Sequence, residues 1–477
     1  MIKRIIKSSF FYNVILRIVC FLRSLLKKSG IYALTMKEYS LKEKCLNSRF
    51  YSFKEKSIGT LHRKCRESAA LSILENSFCG RFLKVEFVLP AFFFVMLVTP
   101  HEIWNNIYGV LGAFAIFMLL FFSKEGYSFK DVSIFVVIYL ISAVGGLFIT
   151  PSFSDGFKML LFTVASLIFM RSTQSGIKSE KSLLRLIWFL VCALLVMSIY
   201  AIVQNFVGVD AKEMLTDIVN NKGMPGRVYS TVENPNNFAE IIVLIIPFAF
   251  ALFIIGKSWR TKAFSAVIAI CGILALMLTY TRGCYVSFAI SVVVFIALYN
   301  WKWLMPFGLF GILCIPFLPQ SVMNRLLTLG SLSDTSSVYR IYLWDSTAKL
   351  LKDCWLCGTG LGSEAFRIAY APYAHRFAQN PAHSHMLYMQ IFIELGVVGG
   401  VAFFGFMIAS IRKGLKTYNN TNKTLRCIII AAISSFAGIS FSAATEYIWF
   451  YPRVMFTFFI VLGILLCAAK IKTEKSV

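Results

Sequence analysis

Two histidines, His383 and His385, lie one residue apart in the segment AHSHMLYMQIF, directly before a long apolar run. An imidazole titrates near neutral pH and can take a proton from a hydroxyl group, which makes histidine a common general base. Three arginines, Arg227, Arg282 and Arg340, precede this pair in the chain. Guanidinium groups bind phosphate oxygens in a bidentate manner and keep their charge. These residue types predict a site that holds an anionic group and activates a hydroxyl.

The composition indicates what kind of protein positions these side chains. Of the 477 residues, 58% are hydrophobic and 15% are charged, whereas a soluble protein is about 45–50% apolar and about 25% charged. The formal net charge of +25 could indicate nucleic-acid binding. However, the basic residues cluster between apolar segments, where they set topology and meet anionic lipid headgroups. We therefore predict an all-α, polytopic membrane protein whose partner is the lipid bilayer and not a nucleic acid.

About twelve segments have the hydrophobicity of transmembrane helices. A helix needs about 20 apolar residues to cross the hydrocarbon layer, and the shortest of these segments are the first and the fourth. The predicted spans are residues 85–98, 104–122, 132–149, 157–170, 184–207, 238–255, 263–278, 286–299, 303–318, 386–411, 427–444 and 455–469.

The distribution of Lys and Arg over the short loops predicts the orientation. With the N-terminus in the cytoplasm, the cytoplasmic loops hold 15 of these residues and the short outer loops hold 3. Residues 1–84 carry 18 more and are predicted to be a basic cytoplasmic extension of a membrane domain at 85–477. Both termini are then cytoplasmic. The loops at 208–237 and 319–384 are extracytoplasmic, and the second is a large loop between helices 9 and 10.

This orientation brings the candidate residues to one face of the membrane. Arg227 lies before the sixth span, Arg282 follows the seventh, and the two histidines open the tenth. Arg340 lies in the segment SVYRIYLWDSTAKLLKDCWL, whose apolar residues have the spacing of an amphipathic helix. The glycine-rich segment GTGLG follows and is expected to end that helix. The candidate site is therefore predicted at the outer interface.

Each of these residues also has a simpler interpretation. An arginine at a helix end often anchors the helix at the lipid interface, and a loop arginine is often solvated or in a surface ion pair. Asn234 and Asn236 flank Pro235 before a helix, where Asn caps free amides. Glu394 is harder to explain in this way, because a carboxylate at membrane depth is costly and usually faces protein or a polar cavity.

Taken together, the set suits transfer of a group from a lipid-linked phosphate. The arginines would stabilise the charge that develops on a leaving diphosphate, a role that Mg²⁺ often has. The outer loops show no cluster of carboxylates typical of a divalent-metal site. Cys354 and Cys357 form a CxxC pair without further ligands nearby. We therefore predict a reaction without a metal or another cofactor.

The motifs and their order add a family resemblance. RVYSTVENPNNFAE, LTYTRG, RIYLWDSTAKLLKDCWLCGTGLGSEAF and AHSHMLYMQIFIELGVVGG follow one another between Arg227 and Gly400. This order resembles the O-antigen ligase and O-antigen polymerase superfamily of bacterial envelope proteins. The resemblance implies an enzyme of the bacterial cytoplasmic (inner) membrane that takes a glycan from undecaprenyl diphosphate at the outer face. The implied acceptor is a hydroxyl of lipid A core, of another lipid-linked glycan or of a protein.

The resemblance also implies roles for single residues. Arg282 and Arg227 match the arginines that grip the diphosphate, and Arg340 matches a further loop arginine. His385 matches the histidine that activates the acceptor hydroxyl. In the family, Asn commonly follows that histidine, whereas Met386 follows here. The choice between His383 and His385 as the base therefore stays open, with Asn234, Asn236 and Glu394 as further candidates for substrate binding.

Four interpretations follow from the sequence. The favoured one is a membrane glycosyltransferase of the ligase type that inverts the anomeric centre. A lipid-linked glycan polymerase of the same superfamily would use the same chemistry, and a cell-wall glycan polymerase of the shape-and-division type fits the motifs less well. A lipid-glycan transporter or flippase would also bind a polyanionic lipid. A transporter tends to place ionisable residues near the midplane, often in repeated halves, whereas here the cations lie at one face and no repeat is visible.

Overall fold

The computed structural model describes residues 84–123, 132–208, 226–327 and 335–475, and these ranges are almost entirely helical. The only extended pairing within them is an isolated bridge between His375 and Ala378. The helices are α1 Val85–Val98, α2 Asn106–Phe122, α3 Ile134–Ile149, α4 Phe153–Gly176, α5 Glu180–Val207, α6 Pro235–Ile255, α7 Trp259–Leu278, α8 Arg282–Asn300, α9 Leu304–Cys314, α10 Gln320–Leu327, α11 Thr335–Cys354, α12 Ser363–Tyr370, α13 Leu387–Thr417, α14 Lys423–Thr445 and α15 Pro452–Lys475. The predicted cytoplasmic extension lies outside the described residues except for Lys84, as do residues 209–225 of the first predicted outer loop.

Polar residues at the helix starts explain where several helices begin. The side chains of Asn105, Ser133 and Ser258 accept hydrogen bonds from free backbone amides at the starts of α2, α3 and α7. Asn234 and Asn422 do the same for α6 and α14. Such caps satisfy amides that have no partner within the helix. They mark the points where the polar links give way to the apolar segments.

The predicted all-helical membrane architecture is confirmed. Eight helical runs are long and apolar enough to cross a membrane, and α1, α2 and α3 are shorter apolar helices. The predicted first span coincides with α1. The fourth, predicted at 157–170, is longer in the structure and spans Phe153–Gly176. Most of the longer helices extend beyond their apolar segments because polar residues in their end turns are also helical.

The segment predicted as the ninth span is only partly one helix. α9 ends at Cys314, a 3-10 turn follows at Ile315–Phe317, and the run from Arg282 to Phe317 is nearly continuous. The hydroxyl of Tyr280, which precedes α8, lies 3.1 Å from the Ser321 hydroxyl. The chain therefore returns after α9 to the end of the bundle where α8 begins. The total of twelve spans and the large outer loop stay predictions.

The centre of the bundle is formed by α6, α14 and α15. These are the most buried of the membrane helices. Small residues let them approach their neighbours closely, as is usual between membrane helices. The Ser435 hydroxyl of α14 donates to the Leu244 carbonyl of α6 at 2.8 Å. Ser442 of α14 lies 2.7 Å from Ser287 of α8. This packing fixes the ends of α6, α8 and α14 relative to one another.

The predicted amphipathic helix is present as α11, and it packs on one end of the bundle. Leu343 and Leu350 are buried with Phe366 of α12 and Ile393 of α13 in a small separate core. The GTGLG segment after α11 packs against a break in α13, where Gly396 has φ 64°. A Cβ atom at Gly396 would lie 2.3 Å from the Leu356 carbonyl oxygen. The close approach therefore requires glycine, and it anchors the α11–α12 segment on α13.

Candidate active site

The link between α14 and α15 brings a carboxylate to the predicted histidines. α14 ends at Thr445, and the next residue, Glu446, has an extended backbone. Its Oε1 lies 2.6 Å from Nδ1 of His385, and its Oε2 accepts a hydrogen bond of 2.9 Å from Nη2 of Arg340. These partners are 61 and 106 positions away in the chain. One carboxylate thus connects the loop before α13 with α11.

The backbone of His385 has an unusual conformation that its neighbours hold in place. Its φ is 49°, in the left-handed region that side chains other than glycine rarely adopt. The His385 amide donates to Nδ1 of His383 at 3.2 Å, and its carbonyl accepts from Nε1 of Trp344 at 3.3 Å. Strained backbone of this kind persists only where several contacts determine it, and such positions cluster at functional sites. The contacts therefore define the direction of the His385 ring.

The pairing with Glu446 assigns the protons on His385. Burial raises the pKa of Glu446, but the hydrogen bond from His385 and the charges of His385 and Arg340 outweigh it and lower that pKa to about 2. An ionised carboxylate only accepts hydrogen bonds. In neutral His385 the proton is therefore on Nδ1, and the lone pair is on Nε2. That tautomer can accept a proton from a hydroxyl group.

His383 has a different environment from His385. Its side chain is buried between the rings of Tyr447 and Phe450, with centroid distances of 5.5 and 4.5 Å. Burial, and then the neighbouring His385, lower the pKa of His383 to about 3. Because its Nδ1 accepts the His385 amide, its proton lies on Nε2. The two predicted histidines are thus together in the structure but are not equivalent.

Arg227 is buried and held by three protein groups. Its Nε donates to the Thr279 carbonyl at 2.9 Å, and its Nη2 donates to Asn236 Oδ1 at 2.7 Å and to Thr281 Oγ1 at 3.0 Å. Burial, and then the charges of Arg325 and Arg340, lower the pKa of Arg227 to about 10. It is still cationic near neutral pH. Several guanidinium groups therefore lie close together, which favours an anionic ligand.

Two further arginines lie near this group. Arg282, the first residue of α8, donates from Nη2 to the Ser337 hydroxyl of α11 at 3.3 Å. Ser337 is one helical turn before Arg340, so this bond brings Arg282 towards Arg340. Arg325 of α10 is buried and donates from Nε to the Tyr280 carbonyl at 3.2 Å. The structure thus brings together Arg227, Arg282 and Arg340, which the sequence predicted, and adds Arg325.

The two predicted asparagines have different contacts. Asn234 caps α6, since its side chain accepts from the Asn236 amide at 2.8 Å. This is the simpler interpretation that the sequence offered for it. Asn236 accepts from Arg227 and also from the Thr281 hydroxyl at 3.2 Å. Of the pair, Asn236 is the one in contact with the arginines.

Glu394 lies further along α13 and is connected to the histidine loop through Gln390. Gln390 Nε2 donates to Glu394 Oε1 at 2.9 Å, and Gln390 Oε1 accepts from the Ser384 amide at 2.8 Å. The Tyr447 hydroxyl donates to the same Glu394 oxygen at 3.3 Å. Ser384 lies between the two histidines, and Tyr447 follows Glu446. Glu394 therefore supports both segments that carry the site.

Sequence reasoning did not identify Glu446, Arg325 or Glu240. Glu446 is the only acidic residue between 427 and 471, and this isolation in an apolar region was the available signal. Glu240 is buried in α6, four residues after Asn236, and its Oε2 has no hydrogen-bond partner among the described residues. The charges of Glu446 and Arg340 act on it. No spacing rule connects these residues, because they lie in different segments of the chain.

The histidines and Glu446 also form a group that could hold a metal ion. One ligand atom from each of His383, His385 and Glu446 lies within 4.8 Å of the others. The sequence did not predict this group, because its only carboxylate comes from a distant link. The Arg340 guanidinium contacts Glu446 at the same place. The prediction that the reaction needs no metal stays a prediction.

One family model matches this part of the chain. Residues 264–404 match the family described as O-antigen ligase. The matched segment, less than a third of the chain, is similar to an O-antigen ligase domain. The match confirms the superfamily predicted from the motif order and covers Arg282, Arg340 and both histidines. Arg227 and Glu446 lie outside the matched residues and reach the domain through tertiary contacts.

A search of curated proteins found no match to the chain. The family match indicates an O-antigen ligase-like membrane protein and suggests a glycosyltransferase-type enzyme.

Proposed function

We propose that this protein transfers a glycan from a polyprenyl diphosphate, expected to be undecaprenyl diphosphate, to an acceptor hydroxyl at the outer face of the bacterial cytoplasmic membrane. The observation that carries the proposal is the contact of 2.6 Å between His385 Nδ1 and Glu446 Oε1 beside a group of arginines. The contact directs the lone pair of His385 Nε2 to a substrate hydroxyl. The arginines supply positive charge for the diphosphate. A base and an anion site together are what this transfer requires.

The proposed reaction is a single displacement. His385 Nε2 takes the proton of the acceptor hydroxyl as its oxygen attacks the anomeric carbon of the donor sugar. The bond between that carbon and the phosphate oxygen breaks, and its electron pair leaves with the polyprenyl diphosphate. Arg282, Arg227, Arg325 and Arg340 stabilise the negative charge on the leaving group. Because the attack comes from the face opposite the leaving group, the product has inverted anomeric configuration.

The other site residues position these groups. Glu446 holds His385 in the required tautomer and stabilises the imidazolium that forms, as a carboxylate does for other histidine bases. Buried His383 stays neutral and supports the His385 backbone. Asn236 orients Arg227, and Glu394 supports the histidine loop through Gln390. The identity of the acceptor distinguishes a ligase from a polymerase. A ligase uses lipid A core or another hydroxyl compound, and a polymerase uses a second lipid-linked glycan.

The test uses the full chain in lipid nanodiscs with an undecaprenyl diphosphate glycan from the host and with EDTA present. Release of undecaprenyl diphosphate is measured with and without candidate acceptors for wild type, His385→Ala and Arg282→Ala. We expect release that depends on the acceptor and that both substitutions abolish. Retention of anomeric configuration in the product would contradict the single displacement.

A second measurement separates the transferase from a transporter. The same preparation is reconstituted in vesicles, and movement of the lipid-linked glycan between leaflets is followed. We expect cleavage and no movement. A preparation that binds and moves the intact lipid without cleaving it would favour the flippase hypothesis instead. Loss of all release in EDTA, restored by a divalent ion, would contradict the metal-independent reaction and make the His383, His385 and Glu446 group the candidate metal site.

A further inference from the structure

A separate polar pocket opens near the candidate active site. Its space, including the part that is open to solvent, is about 400 Å³. Its walls come from three chain segments: the link between α1 and α2, the residues around the start of α6, and the start of α15. The residues that carry the argument are His101, Trp104, Glu233, Asn237, Tyr451 and Arg453. We call this space the Trp104 pocket.

Tyr451 lies between the Trp104 pocket and the histidines. Its hydroxyl lies close to the side chains of Asn234 and Asn237 without a hydrogen bond to Asn237 Nδ2, and the charge of Glu446 reaches it. The preceding residue, Phe450, packs on His383 and on Tyr451 with centroid distances of 4.5 and 5.3 Å. One layer of side chains therefore separates the two spaces. The Trp104 pocket thus lies beside the histidine group.

The pocket contains an unsatisfied donor. Asn237 is 4% exposed, and its Nδ2 has no hydrogen-bond partner among the described residues. A buried donor without a partner is costly, and such groups are rare in folded proteins. The amide is therefore available to a ligand. Glu233 is exposed at the same pocket and offers carboxylate oxygens as acceptors.

An aromatic ring and a guanidinium complete the lining. Arg453 is buried, and its Nη1 donates to the carbonyls of Thr99 at 2.9 Å and Thr231 at 3.1 Å. Its guanidinium carbon lies 5.1 Å from the centroid of the Trp104 ring. The carboxylates of Glu102 and Glu233 act on its charge. These carboxylates disfavour a second anionic ligand at this place, in contrast to the group of arginines beside the histidines.

We propose that the Trp104 pocket binds an uncharged sugar unit of the glycan. A sugar hydroxyl both donates and accepts hydrogen bonds, which matches the free amide of Asn237 and the carboxylate of Glu233. An aromatic side chain offers an apolar face for the ring carbons. The pocket is one residue layer from the proposed site of transfer. This inference rests on the proposed function and assigns its sugar subsite.

The test compares two lipid probes on the full chain in nanodiscs: undecaprenyl diphosphate, and the same lipid carrying the glycan of the host. Dissociation constants are measured for wild type, Glu233→Gln and Asn237→Leu. We expect wild type to bind the glycan-bearing lipid more tightly. Each substitution should weaken that binding about tenfold, the effect of one lost hydrogen bond to a charged or buried group. Binding of the bare lipid should not change.

Glu102→Gln is the matched control. Glu102 is an exposed carboxylate on the same link as Trp104 and also acts on Arg453, but it does not line the pocket. We expect it to bind both lipids as wild type does. Thermal unfolding of each variant checks the fold, and Glu233→Gln keeps the test informative if Asn237→Leu is unstable. In the transfer assay, a higher KM for the acceptor alone would assign the sugar unit to the acceptor glycan and also support the subsite.

Two results would overturn the sugar subsite. One is unchanged donor binding and unchanged acceptor KM in both folded variants. The other is equal weakening of the bare and the glycan-bearing lipid. Binding of the free oligosaccharide, followed by saturation-transfer NMR, separates this inference from the proposed function. One outcome is that wild type binds the oligosaccharide, that Glu233→Gln weakens this binding, and that wild type never cleaves the lipid. This outcome would contradict the transferase but support the sugar subsite.

Discussion

The arginines and the imidazole–carboxylate pair meet at the same end of the bundle, but different contacts hold them. Arg227 and Arg325 are buried, and each donates to a backbone carbonyl at the end of α7 or just after it. His385 depends instead on side chains from other segments: Glu446, His383 and Trp344. Arg227 and Arg325 of the arginine group (Arg227, Arg282 and Arg325) are thus fixed by backbone carbonyls beside the end of α7. The histidine group (His383, His385 and Glu446) is assembled between loops.

This difference indicates that the two groups have different functions. Charge attraction tolerates small displacements, so a binding group needs position but little directional precision. Proton transfer requires a lone pair within hydrogen-bonding reach of the hydroxyl, so the ring must be oriented. Arg340 contacts Glu446 and lies near Arg282, and it therefore connects the two groups. We expect substitutions in the arginine group to change mainly donor binding and those in the histidine group to change mainly turnover.

The largest effect is expected for His385→Ala. Without a base, kcat should fall by about 10²- to 10⁴-fold, while the donor dissociation constant changes little. His375→Ala is the matched control, because His375 stacks on Tyr342 with a centroid distance of 4.0 Å and lies outside the histidine group. Steady-state kinetics and donor binding are measured on the same preparations. Equal losses for the two histidines would contradict the assignment of the base.

Glu446→Gln should have the next largest effect. The amide keeps the shape but no longer fixes the His385 tautomer, and kcat should fall by about 10- to 100-fold, as for other partners that orient an active histidine. Glu446→Asp should recover part of the activity, because it keeps the carboxylate. Equal losses of kcat in the two variants would indicate a structural role alone.

Arg282→Ala should show the opposite division between binding and turnover. Loss of a charged contact to the diphosphate should raise the donor dissociation constant by about 10- to 100-fold. Arg282→Lys should recover only part of it, since an ammonium group cannot bind phosphate in a bidentate manner. The exposed Arg376, whose guanidinium lies over the Phe377 ring, gives the control Arg376→Ala. Donor binding equal to wild type in Arg282→Ala would remove this residue from the arginine group.

The smallest effect is expected for His383→Asn. The Asn oxygen can accept the His385 amide in place of Nδ1, so kcat should fall by less than about tenfold. Because the pKa of His383 is lowered to about 3, this side chain is neutral between about pH 5 and about pH 9. The pH–rate profile of the variant should therefore match that of wild type. A shifted profile would show that His383 takes part in proton transfer.

Much of the fold was predictable because each membrane-spanning helix forms its own backbone hydrogen bonds and is visible in the sequence as an apolar run. The predicted start of α1 and the amphipathic helix α11 agree with the structure. The break of α13 at Gly396 was not predicted. A glycine among apolar residues gives no local sign of the loop that packs against it, and here that loop comes from residues 356–358.

The sequence by itself determined the class of the protein, the apolar helices and the residue types of the site, because hydrophobicity, charge and side-chain chemistry are local properties. It could not choose between His383 and His385, and it did not identify Glu446 or Arg325. Those assignments depend on contacts between residues far apart in the chain, such as the 61 positions from His385 to Glu446. Only the packing of α6, α8, α14 and α11 decided which side chains meet, since helix ends come together through the tertiary fold.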